Sequence, residues 1–393
     1  MRPLALAAAV VLGLSPMMAA CGAEPPVRLA GPIAAVIPRV APVRPPTAAE
    51  PPPRRTPPPQ AALRDELLQR FEGWLGDMPS YTARALREGR PYPEGDLFPF
   101  VLPAHAYAML AEQGVVPKAE ARARIEALLV PALRAVKQRV GDPMRLTSYG
   151  GQGTYLGQLS LVLRAYHRLA GREHRPLADH LRALLADALE AAQGAPLMSF
   201  PGQVWPFDTL PALLAVERPD LTAAHLAWLR EHATDPTTGL PASRLDARGR
   251  PDAEPRGCAL SWRIALLGEL APEEAARLYP LYVEHHWLER GIAAGFAEWP
   301  GGREGKADAD SGPVVMGIGS AASSLGLAAT LSQGDRDRLG ALLRSAERAR
   351  RALPSLADTF HLPHDERYVS GFLFGDAVLF YAISWPAAAP RGG

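Results

Sequence analysis

The sequence predicts an all-α domain: an (α/α)6 toroid of six inner and six outer helices, following a signal peptide and a proline-rich tether. Three observations predict it. Apolar segments rich in small residues recur at intervals of about 50 to 60 residues, starting near Leu97, Gly153, Phe207, Gly257, Ser311 and Ser370. Amphipathic segments loaded with arginine and glutamate lie between them. Period-two alternation and β-branched runs are scarce, so strands are not expected to dominate.

The apolar segments lack a polar face, as in Val314 to Ala329 and Phe372 to Trp385, and helices apolar all round are buried on every side. Gly317, Gly319 and Gly326 read as packing glycines inside the fifth of them; Gly317-Ile318-Gly319 mimics a dinucleotide fingerprint, but no strand precedes it. The intervening segments are Lys118 to Val140, Pro176 to Ala192, Leu221 to His232, Pro272 to Leu288 and Asp335 to Ala352, with Leu63 to Leu75 before the first. Each has an apolar stripe and a solvated face, the pattern of an outer helix. Alternation of the two kinds gives a ring of six wrapped by six. No second linker interrupts residues 61–386, so one domain is expected there, with a disordered tail at 387–393.

Ahead of the domain, Met1-Arg2-Pro3 and the apolar run Leu4 to Leu14 read as a secretory signal, too short to span a bilayer. It ends Met18-Ala19-Ala20-Cys21-Gly22. This resembles the lipobox of bacterial lipoproteins, with Met18 where leucine is usual. The resemblance implies cleavage after residue 20, acylation of Cys21, and an envelope protein held to a membrane on the periplasmic or extracellular face. Several acyl chains anchor stably where one binds marginally. Residues 21–60 include Pro45, Pro46, Pro51, Pro52, Pro53, Pro57, Pro58 and Pro59, which favour an extended spacer over helix.

The 42 basic and 41 acidic residues leave a net charge of +1, which argues against nucleic acid as a partner. With Cys21 acylated, Cys258 is the one remaining cysteine and has no disulfide partner. No Cys/His cluster has zinc spacing, and His285-His286 is vicinal, so neither metal nor cofactor is expected. His361, His364 and Asp365 form a polar loop before the last inner helix.

Chemistry-bearing residues gather just before the inner helices. They include Tyr149, Gln152 and Tyr155; Trp205 and Asp208; Arg256 and Cys258; and Glu298, Trp299, Asp308 and Asp310. In a toroid these ends share one mouth. Inner helices in contact lie ~8–10 Å apart, which puts the third and fifth roughly 15–17 Å apart across a six-membered ring. Side chains reaching inward then leave carboxylates on the order of 6–9 Å apart, the separation at which one acid protonates a leaving oxygen while another activates water. Asp208 and Asp310 form the expected catalytic pair, with Glu298 as a substitute. Tyr149, Gln152, Tyr155, Trp205, Arg256, Trp299 and Asp308 are the expected substrate contacts. Asp208, Asp310 and Ser311 are equally good helix caps, and Cys258 reads as a buried thiol unless a base stands beside it.

The six-hairpin pattern over residues 61–386 resembles the (α/α)6-toroid superfamily of glycoside hydrolases and polysaccharide lyases. Trp205-Pro206-Phe207-Asp208 and Asp308-Ala309-Asp310-Ser311-Gly312-Pro313 are similar to segments of toroid proteins akin to linalool dehydratase/isomerase. The first resemblance implies carboxylate acid/base chemistry on a carbohydrate-type substrate. The second implies lyase or isomerase chemistry on a small alcohol and nominates Asp208, Cys258 and Tyr155. A non-catalytic protein binding a small molecule or glycan in the same mouth is the third expectation. Crowding of the mouth by Trp205, Phe207 and Trp299 distinguishes a small ligand from a polymer.

Overall fold

The computed structural model describes residues 58–303, 305–360 and 367–388. The expected signal peptide, Cys21, nearly all of the expected tether, and His361, His364 and Asp365 lie outside them. Among the described residues there are 13 α-helices and three two-stranded hairpins. No helix among them is long and apolar enough to cross a membrane.

The first helices are α1 (Ala61–Leu75) and α2 (Met78–Gly89). Asp77 caps the second by accepting from Ser80 N at 3.1 Å. The sequence reading overlooked α2, because its Pro79 and Ser80 look like a loop when their role in opening a helix is missed. Next come α3 (Phe98–Glu112), α4 (Lys118–Val140), α5 (Gly153–Arg168), α6 (Arg175–Ala191), α7 (Thr209–Val216) and α8 (Pro219–His232). The remainder are α9 (Gly257–Leu270), α10 (Pro272–His286), α11 (Ser320–Gln333), α12 (Arg336–Phe360) and α13 (Leu373–Ile383).

The division into buried and amphipathic helices is clear. Every residue of α7 is buried, and α3 is buried along nearly its whole circumference. By contrast α6 buries one stripe: Leu177, Leu181, Leu184, Leu185 and Leu189. That spacing follows the helical repeat, and each leucine contributes about 1.5–3 kcal/mol by leaving water. The buried helices pack in sequence: α3 on α5, α5 on α7, α7 on α9, α9 on α11, α11 on α13, and α13 back on α3. Four amphipathic helices lie against them: α4 on α3 and α5, α6 on α5 and α7, α10 on α9 and α11, and α12 on α11. Small residues allow close approach. A Cβ on Gly157 of α5 would stand 3.3 Å from Ala212 N of α7.

Two expectations about helix boundaries need correction. The run from Val314 is not helical at its start. Val314–Val315 and Ile318–Gly319 form an antiparallel hairpin, β5–β6, and the helix begins at Ser320. Met316 and Gly317 both take positive φ, 54° and 82°, as a two-residue type I′ turn requires. Gly317 and Gly319 are therefore hairpin residues, not helix-packing residues; only Gly326 lies within α11. Likewise α10 ends at His286. Trp287–Arg290 leaves it as strand β3, paired with β4 (Ala293–Phe296). A third hairpin joins β1 (Arg244–Leu245) to β2 (Pro251–Ala253). At the other end, Ala388 is tied down by donating its N–H to Leu331 O at 2.9 Å; residues 389–393 of the expected tail lie outside the described residues.

Candidate active site

A cavity of about 320 Å3 opens where the N-terminal ends of five buried helices converge. Its wall takes Tyr92, Glu94 and Phe98 from the entry to α3, and Phe200, Trp205, Phe207 and Asp208 from the entry to α7. Arg256 and Cys258 come from the start of α9, Asp310 from the approach to α11 with Ser320 and Ser324 in its opening turns, and Phe372 and Phe374 from the start of α13. Arg139, at the end of α4, completes one side, and Leu102, Trp262, Leu325 and Val378 close it.

Asp208 is not a helix cap. It precedes α7 but makes no capping hydrogen bond. Thr154 Oγ1, on α5, donates to Asp208 Oδ2 at 2.8 Å. Burial pushes this carboxyl up to about 6, against the pull of hydrogen bonds from Ser199 and Thr154, and the charge of Asp310 adds to the rise. Asp310 stands exposed at the outer edge of the cavity, in the loop before β5, not at the mouth of a helix. The protein crowding it, then the negative charge of Asp308, push it above the usual carboxylate range.

Sequence reasoning missed Glu94, the most perturbed carboxyl on the wall. Burial, then Asp208 and Asp310, push it up to about 8. The signal was present. Tyr92-Pro93-Glu94-Gly95-Asp96 precedes the first buried helix just as aromatic, glycine-bearing segments precede the others.

Arg256 organises one side of the site. Its Nε donates to Glu298 Oε1 at 2.7 Å, while Nη1 and Nη2 donate to the two oxygens of Asp308 at 2.9 and 2.8 Å. It also lies 5.9 Å from the centre of the Trp299 ring. Asp308 Oδ1 accepts from the N–H groups of Asp310 and Ser311, fixing the loop that carries Asp310. Despite burial, Arg256 holds Asp308 below the usual range. Glu298 is fully buried and does not line the cavity; burial pushes its carboxyl up, with Arg256 opposing. Cys258 is not sequestered. It reaches the cavity wall, and its Sγ donates to Glu298 Oε1 at 3.1 Å, the base that the sequence did not reveal. Burial, then the negative charge of Glu298, push the thiol well up. Gly257 is required here because a Cβ would collide with the Ala297 carbonyl oxygen.

Of the expected contacts, Trp205 and Arg256 line the cavity, whereas Trp299 and Asp308 act on it through Arg256. Tyr149, Gln152 and Tyr155 do not line it. The segment 197–205 crosses the start of α5, with Gly153 N donating to Met198 O and Thr154 N to Ser199 O, and this covers the α5 entry. Tyr155 instead supports Arg139. Its ring lies 5.1 Å from the guanidinium, and its hydroxyl accepts from Arg139 at 3.1 Å while donating to Asp96 at 2.5 Å.

A scan against models of known protein families matches none of them to this chain, and a search of curated proteins also finds no match.

Proposed function

We propose that the cavity is an acid/base active site for a small, largely apolar molecule that carries a hydroxyl group. The observation that carries this reading is the placing of Glu94 and Asp208, both with raised carboxyls, in one aromatic-walled cavity with Asp310. At neutral pH a group that titrates near 8 holds a proton to give, and one that titrates near 6 is ready to accept one. Glu94 is then the general acid toward a leaving hydroxyl, Asp208 the base, and Asp310 the group in contact with solvent that restores their protonation. Cys258, with its thiol hydrogen held by Glu298 and its acidity suppressed by burial, lines the wall without a proton-transfer role in this reading.

Elimination or isomerisation of an alcohol, the lyase/isomerase-type reading, fits this wall better than glycan hydrolysis. A sugar brings many hydroxyls, each of which must find a partner when buried, and this cavity is mainly aromatic and aliphatic. A carbohydrate-type substrate retains support from one observation: Asp208 and Asp310 line the same cavity beside Trp205, a ring suited to stacking.

The cyclic packing order of α3, α5, α7, α9, α11 and α13, with amphipathic helices outside, supports the (α/α)6-toroid reading of the domain. The lipobox-like segment at Cys21 supports a lipid-anchored envelope location. The test is a turnover screen of small tertiary and allylic alcohols against aryl glycosides, followed by Glu94→Gln and Asp208→Asn on any hit. Turnover of glycosides alone would replace the first reading with the second. Full activity in both variants would remove the acid/base role.

A further inference from the structure

We propose that the cavity binds a small organic cation, its charge among Glu94, Asp208 and Asp310 and its carbon shell against an arc of aromatic rings. Six rings of the wall follow one another in contact. Phe372 and Tyr92 have centroids 6.2 Å apart, and Tyr92 and Phe374 4.4 Å. Phe374 and Phe98 are 6.2 Å apart, Phe98 and Trp262 5.4 Å, and Trp262 and Phe207 5.8 Å. All six line the cavity. Tyr92 stacks on Phe374 at 7° and on Phe372 at 14°, so these rings turn faces to one another and offer the ligand's carbon shell an apolar arc, and attraction of its charge falls to faces not covered in this way.

The charge balance of the wall points the same way. Both of its guanidinium groups are already matched by acids. Arg256 is held by Glu298 and Asp308, and Arg139 lies 3.8 Å from Asp96 while donating to Tyr155. Among the described residues, none of Glu94, Asp208 and Asp310 forms an ion pair with a lysine, arginine or histidine. Arg139 and Arg256 act on Glu94 and Asp310 without forming an ion pair with them, and no cation is among the groups that act on Asp208, so the aromatic space holds acids that no paired cation neutralises. An ammonium group would supply the missing charge.

The inference rests on the acid/base reading for the place of the site. It adds the class of ligand: a tetraalkylammonium-like cation, or a substrate whose reacting carbon becomes cationic as a hydroxyl departs. The second case balances without an added reagent. The carbon–oxygen bond breaks, Glu94 supplies the proton that makes the leaving group water, and Asp208 takes a proton from the neighbouring carbon as the double bond forms.

Arrival of a fixed cation favours the ionised form of the nearby acids. The charged and titratable groups sharing the space are Glu94, Asp208, Asp310, Cys258, Tyr92, Arg139 and Arg256. Near neutral pH, binding must expel protons, chiefly from Glu94, and affinity must rise as the pH rises from 5.5 to 8.5.

The experiment is titration calorimetry on the full chain with choline and with 3,3-dimethylbutan-1-ol, in which carbon replaces the charged nitrogen. Tetramethylammonium and tetraethylammonium bracket the size. Choline should bind at least tenfold more tightly than its neutral twin at pH 7.5. Its heat should vary with the ionisation enthalpy of the buffer, reporting proton release. Asp310→Asn should weaken the ammonium ligands and leave the neutral twin unaffected, and Glu94→Gln should narrow the ratio between choline and its twin. Equal affinity of charged and neutral partners, or no binding of any ammonium in the series, overturns the proposal; both comparisons use the wild type and do not depend on a variant folding. Ammonium binding without alcohol turnover would leave this inference standing and remove the catalytic one. Turnover with a preference for neutral ligands would do the reverse.

Discussion

Thr154 Oγ1 donates to Asp208 Oδ2 at 2.8 Å, from one buried helix to the residue that precedes the next. Asp208 thereby gains a fixed orientation without serving α7 as a cap. Asp208→Asn should retain the fold and lower turnover by about 10²–10⁴, the usual worth of a positioned acid or base. Thr154→Val should remove one stabiliser of the charged form, so the acid limb of the pH–rate profile should move to higher pH. Steady-state kinetics across pH on both variants checks this, and an unmoved limb in Thr154→Val would remove the hydrogen bond from the account.

Turnover should be bell-shaped in pH. The active form has Asp208 ionised and Glu94 protonated, so rates should rise through about 6 and fall through about 8. Glu94→Gln should abolish the alkaline limb along with most of the activity.

Glu94 also makes a prediction about stability. Its folded-state pKa is raised, so the folded chain holds a proton that the unfolded chain has released at neutral pH. Stability must therefore decline as pH rises from the ordinary carboxylate range toward 8. Glu94→Gln should raise the melting temperature at pH 8.5 and leave it nearly unchanged at pH 4. Thermal melts at the two pH values decide it.

Arg256→Ala should be severe. It leaves Glu298 buried without its charge partner, a loss of about 3–5 kcal/mol. Arg256→Ala with Glu298→Gln should recover part of that loss, since the charge then left without Arg256, on Asp308, is half exposed to water. Denaturant unfolding of the single and double variants measures the difference.

At the N-terminus, Cys21→Ser should abolish acylation and release the protein from membranes. A chain beginning at Ala61 should keep its helical circular dichroism, because α1, the first described helix, starts there. Unchanged fractionation of Cys21→Ser refutes the anchor.

Much of the helical pattern was legible because burial in this chain follows simple periodicities. The stripe Leu177, Leu181, Leu184, Leu185, Leu189 specifies an exposed helix, and the featureless apolarity of Thr209–Val216 specifies a buried one. The β5–β6 hairpin was hidden because Val314, Val315 and Ile318 are apolar in any conformation, and only the turn at Met316-Gly317 distinguishes strand from helix. Asp208, Trp205 and Arg256 stand before buried helices and line the cavity, as their positions in the sequence led one to expect, whereas Asp310 lines it from the loop before β5. Tyr155 was misplaced because the crossing of 197–205 over α5 is a long-range event with no local signature. The partnership of Cys258 with Glu298 spans about 40 residues of chain and becomes visible only when β4 delivers Glu298 beside α9.

Arg256 joins a fully buried acid to the loop bearing Asp310, and this bears on how anything enters or leaves the cavity. Lifting that loop would tear Asp308 from a guanidinium whose other partner cannot follow. The outer wall is therefore a fixed sill, not a door. With that loop held, adjustment of the wall falls to its half-buried rings, Phe200, Trp205 and Phe372 among them, rather than to backbone. A wall that yields by ring rotation rather than by loop movement would admit ligands according to their girth.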